Sequence, residues 1–320
     1  MANGLKAIHL PILNSSTTKI SIVTPSYNQG KYLDDTLRSV IGQESGDLTL
    51  QYIIQDNCST DITSEVLARH NEVENMHVRI QSDAGQADAL NRGFRYSDGS
   101  ILGWVNSDDV LLPGALNTAV EVFEGNPSVD VIYGDAFFIN KAGVIQGKYP
   151  TSKFSKELLF STCFLSQPSV FFRRSIYDKV GGVRNDLHFC LDYNLWLKFY
   201  QAGANFAHIN KPLSATRIYA DTKSATGGRE KVDEIRLMLL DEVGYIPNCW
   251  ELYYEYSKGN GFYSENNLIE FLKASCRFLL GNPNAISEVV PFVSHRARNK
   301  LIDHLGKFRI PYGKHYSYLN

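Results

Sequence analysis

The chain has 320 residues, 43% of them hydrophobic, and its 32 basic and 34 acidic side chains give a formal charge of -2. Such a chain buries a substantial core in one large domain or two ordinary ones, and its charge makes no electrostatic case for nucleic-acid binding. Met1 to Leu13 lacks a basic start followed by a long apolar stretch, and no later run reaches the roughly 20 apolar residues of a membrane helix. Five cysteines, Cys58, Cys163, Cys190, Cys249 and Cys276, show no metal-ligand spacing. They read as free, mostly buried thiols of a cytoplasmic protein.

After an N-terminal extension (1–18), short β-branched runs alternate with helical periodicity, the pattern of a parallel sheet covered by helices. Ile20 to Thr24 predict the first strand, and Leu33, Leu37, Val40 and Ile41 the apolar stripe of a helix. Leu50 to Gln55 predict the second strand, followed by a helix carrying Val66 and Leu67; Val78 to Gln81 predict the third, followed by a helix carrying Ala87, Leu90 and Phe94. Ile101 to Val105 form the next, then a helix with Leu116, Val120 and Phe123 and a strand from Val129 to Tyr133. Beyond Gly134 the expectations are a hairpin around Gly143, a strand from Ser169 to Phe172, a short helix closed by Gly181-Gly182, and a helix carrying Leu195, Trp196 and Phe199. Residues 19–227 thus make one α/β domain, whose second half (135–227), after the regular alternation of 19–134, reads as the place where a second ligand would be recognised. From about Gly228 to Asn320 the pattern is helical and aromatic-rich. Its end carries Arg296, Arg298, Lys300, Lys307, Arg309 and Lys314 against Asp303. That basic end is either a solvated helix face or a contact for an anionic membrane surface or phosphorylated acceptor.

Polar constellations follow several strands in succession. The run Thr24-Pro25-Ser26-Tyr27-Asn28-Gln29-Gly30 puts an aromatic ring that can stack on a base before a helix N-terminus. In Asp56-Asn57-Cys58-Ser59-Thr60-Asp61, Asp56 can accept from a base N–H while Ser59, Thr60 and Asp61 turn and cap. In the segment from Asp83 to Gly93, which includes Gln86 and Asn91, Asp83 can reach a ribose hydroxyl and Gly85 lets a ligand approach the backbone. The run Asn106-Ser107-Asp108-Asp109 places two carboxylates at a strand's C-terminal end, where open α/β sheets bind ligands. A hard divalent cation offsets their repulsion; an Asx-type turn or cap before Pro113 is the alternative. Asp192 opens a helix anchored by Leu195, Trp196 and Phe199, either as a general base or as an ordinary N-cap.

Together these segments, from about Ile20 to Ser224, resemble glycosyltransferase family 2, inverting nucleotide-sugar enzymes with a GT-A fold. The resemblance implies an α/β, mostly parallel central sheet with flanking helices and a C-terminal helical extension, with a nucleotide-binding half (19–134) and an acceptor half (135–227). It implies that Thr24, Pro25, Tyr27 and Asp56 hold the base, with Asn28, Gly85, Gln86, Asn91 and Ser107 in the same donor motifs. Asp83 and Asn106 would lie near the ribose, and Asp108 would ligate Mg or Mn bridging the diphosphate of a UDP-linked donor. Asp192 would be the base toward a saccharide or lipid-linked saccharide acceptor. Arg217 and Lys223 fall in a closing loop that covers the diphosphate, with a surface loop as the alternative. Two positions depart from the family: Asn106 replaces the first acid of the metal motif, leaving Asp109 as the other carboxylate, and Tyr219 stands where a metal-binding His is common. Surface polysaccharide or glycoconjugate synthesis is the implied setting. A nucleotidyltransferase and a non-catalytic nucleotide or saccharide-binding relative remain alternatives. A Rossmann dehydrogenase does not fit, because no G-x-G-x-x-G follows the first strand.

Overall fold

The computed structural model describes residues 18–43, 48–257, 268–294 and 297. Most of the N-terminal extension and all six basic residues of the C-terminal end lie outside them.

The first half follows the expected alternation: β1 (Lys19–Ser26), α1 (Gly30–Ile41), β2 (Thr49–Asp56), α2 (Thr63–Ala68), β3 (Met76–Ile80), α3 (Gln86–Tyr96) and β4 (Ile101–Trp104). A two-residue β5 (Val110–Leu111) precedes α4 (Ala115–Gly125), and β6 (Val131–Ile139) turns into β7 (Ile145–Lys148). Then come α5 (Lys156–Ser161), β8 (Val170–Arg173), α6 (Arg174–Lys179), α7 (Leu191–Gln201) and β9 (Phe206–Arg217). Helices α8 (Lys223–Thr226), α9 (Gly228–Val243), α10 (Asn248–Ser257) and α11 (Leu268–Gly281) follow.

The strands form a single mixed sheet in the order β3-β2-β1-β4-β8-β6-β9-β5, with β7 paired to β6. Its first four strands are parallel; β8 runs antiparallel to both β4 and β6, and β9 runs parallel to β6 and antiparallel to β5. Strands β4 and β5 are four places apart in that order, roughly 19 Å in a flat sheet at about 4.8 Å per strand. The segment joining them is a tight turn, closed by a 3.1 Å bond from Asp109 N–H to Asn106 C=O. The sheet therefore curls, and the end of β9 returns beside the acidic turn.

Side-chain alternation sorts the strands' residues between two cores. Ile20, Ile22, Ile54, Ile101, Ile132 and Phe171 pack with Leu33, Leu37, Val66, Leu116 and Phe123 of α1, α2 and α4. On the opposite face Val23, Ile53, Leu102, Tyr133 and Phe172 meet Leu90 and Phe94 of α3 and Leu195, Trp196 and Phe199 of α7. Gly93 makes the α3 contact close, since a Cβ there would stand 2.5 Å from Val23 Cγ1. Val232, Ile235 and Leu239 of α9 and Trp250 and Tyr253 of α10 join this second core. No helix among the described residues is long and apolar enough to cross a membrane.

Several local expectations differ from what forms. Arg173, the last residue of β8, and Arg174, the first of α6, are half-buried and bonded to main-chain carbonyls. Arg173 donates to the carbonyls of Val129 and Phe123 at 2.8 Å, and Arg174 to Gly99 O at 2.7 Å and Phe94 O at 3.2 Å. Each cation thereby satisfies orphan carbonyls at or near the C-terminus of α4 or α3. Strand β9 has no clean alternation and carries register shifts opposite Gly134 and Asp135. All five cysteines are free, with Cys190 and Cys249 buried and Cys58 and Cys276 exposed.

Candidate active site

A cleft of about 400 Å³ opens at the C-terminal ends of β1, β2 and β4. Its walls include Pro25, Ser26, Tyr27, Gln29, Asn57, Asp83, Gly85, Gln86, Asn106, Ser107, Asp108, His188, Arg217, Tyr219 and Lys223. The Tyr27 ring, 59% exposed, stands free at the end of β1. Asn28 takes a left-handed φ of 51° and ties this loop to the next: its N–H donates to Ser59 Oγ at 2.8 Å and its Oδ1 accepts from Thr60 N–H at 2.8 Å. Asp61 accepts from Gly30 N–H at 2.9 Å and Thr63 N–H at 3.0 Å, so it caps α2 and braces the start of α1 together.

Thr24, Asn28, Asp56 and Asn91 are not among the cleft-lining residues. Thr24 is fully buried and shares a 3.0 Å hydrogen bond with the Tyr52 hydroxyl. Asp56 closes a turn by accepting from Ser59 N–H at 2.9 Å and Ser59 Oγ at 2.6 Å. Asn91 accepts from the Tyr177 hydroxyl and Val183 N–H and donates to Val183 C=O, which pins the segment before α7. Asp83 faces the cleft and accepts from Gly85 N–H at 2.9 Å; Gly85 has φ +115°, a conformation that favours glycine. Burial pushes the Asp83 carboxyl above its ordinary value, and Asp88 and Asp56 push the same way.

The acidic turn is wired by donor chemistry. Trp104 Nε1–H can only donate, and it does so to Asn106 Oδ1 at 2.7 Å, as does Gln86 Nε2 at 2.8 Å. The Asn106 amide nitrogen therefore points the other way, donating to Asp109 Oδ2 and Gln167 Oε1, each at 3.1 Å. An aspartate at 106 could make neither of the last two bonds. Asp109 also accepts from Arg217 N–H at 2.9 Å and is 2% exposed; it lies in the cleft wall, with both carboxylate oxygens bonded to protein donors. Its carboxyl is pushed up by burial and by Asp108.

Asp108 is the carboxylate of the turn presented to the cleft. Its Oδ2 accepts from the Tyr219 hydroxyl at 2.9 Å, and burial raises its carboxyl above the ordinary range. Among the described residues no three His, Cys, Asp or Glu side chains assemble into a cage. This donor set fits a hard cation held by one carboxylate and completed by phosphate oxygens and water, a common arrangement for Mg.

Arg217 lies in the cleft wall but is only 2% exposed, with its guanidinium bonded to internal partners. Nε donates to Asp108 C=O at 2.9 Å, Nη1 to the carbonyls of Asn140 and Lys141 at 3.1 and 3.0 Å, and Nη2 to Asp35 Oδ2 at 2.9 Å. Its guanidinium also lies 4.8 Å from the centroid of the Tyr32 ring. Lys223 does reach the cleft, bonded to Gln86 Oε1 at 2.9 Å and His188 C=O at 3.3 Å. Asp192 sits in the first turn of α7, with Oδ1 accepting from Tyr193 N–H at 2.8 Å; it is partly exposed and does not line the cleft, whereas His188, four residues earlier, does. Burial pushes the Asp192 carboxyl above its ordinary value. Gln29, Asn57 and His188 are cleft residues to which no ligand role was assigned from sequence, although the first two sit inside the motif runs quoted above.

The sequence profile described as Glycosyl transferase family 2 matches residues 21–181. Chondroitin synthase of Escherichia coli is 30% identical over 206 residues, which cover 62% of this chain and 29% of that protein, so the chain spans less than a third of that relative. Staphylococcal (S. aureus) TarS 1–349, solved in complex with UDP-GlcNAc, aligns with a TM-score of 0.58 at 20% identity, covering 82% of this chain and 80% of that one. Mannosyltransferase PcManGT from Pyrobaculum calidifontis, in complex with GDP-Man and Mn2+, aligns at 0.55 with 15% identity, covering 88% and 80%.

Proposed function

The chain belongs to glycosyltransferase family 2, and we propose that it moves a sugar, with inversion, from a UDP-linked donor to a saccharide hydroxyl in polysaccharide or glycoconjugate synthesis. The observation that carries this reading is the convergence of exposed Tyr27, Asp83, Asp108 and Lys223, from four separate segments, on one cleft. Tyr27 stacks on the base, Asp83 accepts from a ribose hydroxyl, and the Lys223 ammonium faces the diphosphate. Asp108 holds a divalent cation, Mg or Mn, which supplies Lewis-acid stabilisation to the departing diphosphate. Asp192 takes the proton of the acceptor hydroxyl as its oxygen bonds to the anomeric carbon from the face opposite the leaving group. Support for the donor class comes from the nucleotide sugars named for the two structural neighbours, one UDP-linked and one GDP-linked.

Calorimetric titration of UDP, GDP and dTDP, with and without Mn, on the wild type and on Asp108→Ala tests the site. Mn-enhanced binding of UDP that disappears in Asp108→Ala is the expected result. Binding of GDP instead would reassign the donor base. Tight binding indifferent to Mn and to Asp108→Ala would favour a non-catalytic nucleotide-binding relative, and no binding at all would defeat the donor-site assignment.

A further inference from the structure

The loop that leads into α7 is held by a side chain from well beyond it. Three successive backbone N–H groups, of His188, Phe189 and Cys190, all point at the carboxylate of Glu234 in α9, at 2.8, 2.6 and 2.9 Å. Cys190, the N-cap residue of α7, provides no side-chain cap of its own. Glu234 thus acts as a carboxylate cap delivered from another helix, where three charge-assisted bonds and the α7 dipole reinforce one another.

The rest of that face of α9 is built toward the same loop. Gly227, Lys231 and Glu234 follow the i, i+4, i+7 spacing that aligns residues along one helix face. A Cβ at Gly227 would come within 2.9 Å of Phe189 Cε1, so the ring lies directly against the backbone there. Lys231 is near enough to Asp192 to stabilise its charge. Just before α9, Lys223 bonds His188 C=O on one side and Gln86 of α3 on the other, which links the loop to the donor half. None of the residues from 188 onward lies in the segment matched by the family profile, which ends at 181.

We propose that Glu234 is a positioning residue: through the His188–Cys190 amides it sets where Asp192 stands relative to the donor cleft, so the first C-terminal helix completes the acceptor side of the site. This rests on the transferase reading above and on Asp192 as its base. A glutamine in place of Glu234 offers a single acceptor oxygen and turns an N–H₂ donor toward three N–H donors, so the loop must re-seat. A shift of about 1 Å at a reacting group costs about 10²-fold in rate.

The test compares wild type, Glu234→Gln and Glu234→Asp by three readouts: UDP affinity, release of nucleoside diphosphate from UDP-GlcNAc and GDP-Man with water as the acceptor, and amide exchange at residues 188–190. For Glu234→Gln the expected result is UDP affinity within twofold of wild type, kcat about 10²-fold lower with KM for the donor unchanged, and loss of protection at those amides. Glu234→Asp should recover most of both. A kcat within threefold of wild type overturns the proposal, as does a parallel fall of kcat, UDP affinity and Tm that Glu234→Asp does not relieve. If the wild type binds UDP but releases nothing from either donor, the transferase reading is what fails; exchange then decides the Glu234 assignment separately, and unchanged protection in Glu234→Gln overturns it.

Discussion

Replacing Arg217 with methionine separates two roles that its position in a closing loop leaves open. If the guanidinium covered the diphosphate, the variant would fold normally and lose nucleotide affinity. The structure instead makes Arg217 an internal strut, and the cost follows from its partners. Methionine leaves Asp35, the partner at 2.9 Å, without its cation, and removes the Arg217 donor from the carbonyls of Asp108 and Lys141, while the Asn140 carbonyl keeps Gly143 N–H at 3.0 Å. Removing one partner of a buried pair costs about 3–5 kcal/mol, and a buried orphaned acceptor about 1–3 kcal/mol. The Asp35 side chain is 30% exposed and regains some water, and the loop relaxes around the carbonyls, which brings the expectation to about 4 kcal/mol. Against a total stability of about 5–15 kcal/mol, that lowers Tm by about 10 °C. Urea unfolding of wild type, Arg217→Met and Arg217→Lys measures it, with lysine intermediate because it keeps a charge but not the fork. A loss below about 1 kcal/mol for Arg217→Met, together with weakened UDP binding, would refute the strut and restore the diphosphate role.

Asn106→Asp restores the acid common in the family, yet it removes both donors and turns a carboxylate toward Asp109 across a 3.1 Å contact; thermal unfolding should show a loss of about 2–4 kcal/mol. A variant as stable as wild type with higher Mn affinity would contradict that account. Tyr27→Ala should weaken UDP binding by about 1–3 kcal/mol, the value of one base–aromatic stack, and change stability by less than about 0.5 kcal/mol, since the residue is 59% exposed. Burial raises the Glu234 carboxyl, but the His188, Cys190 and Phe189 amides outweigh it and hold the group below its ordinary 4.5. A depressed folded value stabilises above the unfolded one and is lost as pH falls through the folded one. The stability gap between wild type and Glu234→Gln should therefore be level above about pH 5 and close below pH 4.5 in acid-titrated unfolding; a gap that widens toward acid would reverse the assignment.

The alternation of apolar runs and helical stripes already determined the order of the main elements through Tyr133, apart from the two-residue β5, because most of those strands and helices bury a face that their own residues mark; β3 is the exception, with Val78 and Ile80 exposed. Local chemistry was equally readable: Tyr27 at a strand end, Asp83 before Gly85, and Asp108 in a turn after a buried strand are consequences of neighbours within a few residues. What the linear chain could not decide was which polar group spends its hydrogen bonds inside the protein. Thr24 and Asn91 carry the same chemistry as the residues that face the cleft, but each has a partner supplied by a distant strand or loop, and Asp109, in the cleft wall, is tied to Arg217 from across the sheet. Strand β9 was hidden because its register shifts erase the period of two, and the curl of the sheet that brings Arg217 back to Asp109 is a property of strand order, not of any segment. Glu234 reaches the His188–Cys190 loop across more than 40 residues. Short-range patterns select elements and turns through steric and hydrophobic periodicity, whereas the donors and acceptors that decide between ligand contact and internal strut are paired only when the tertiary fold closes.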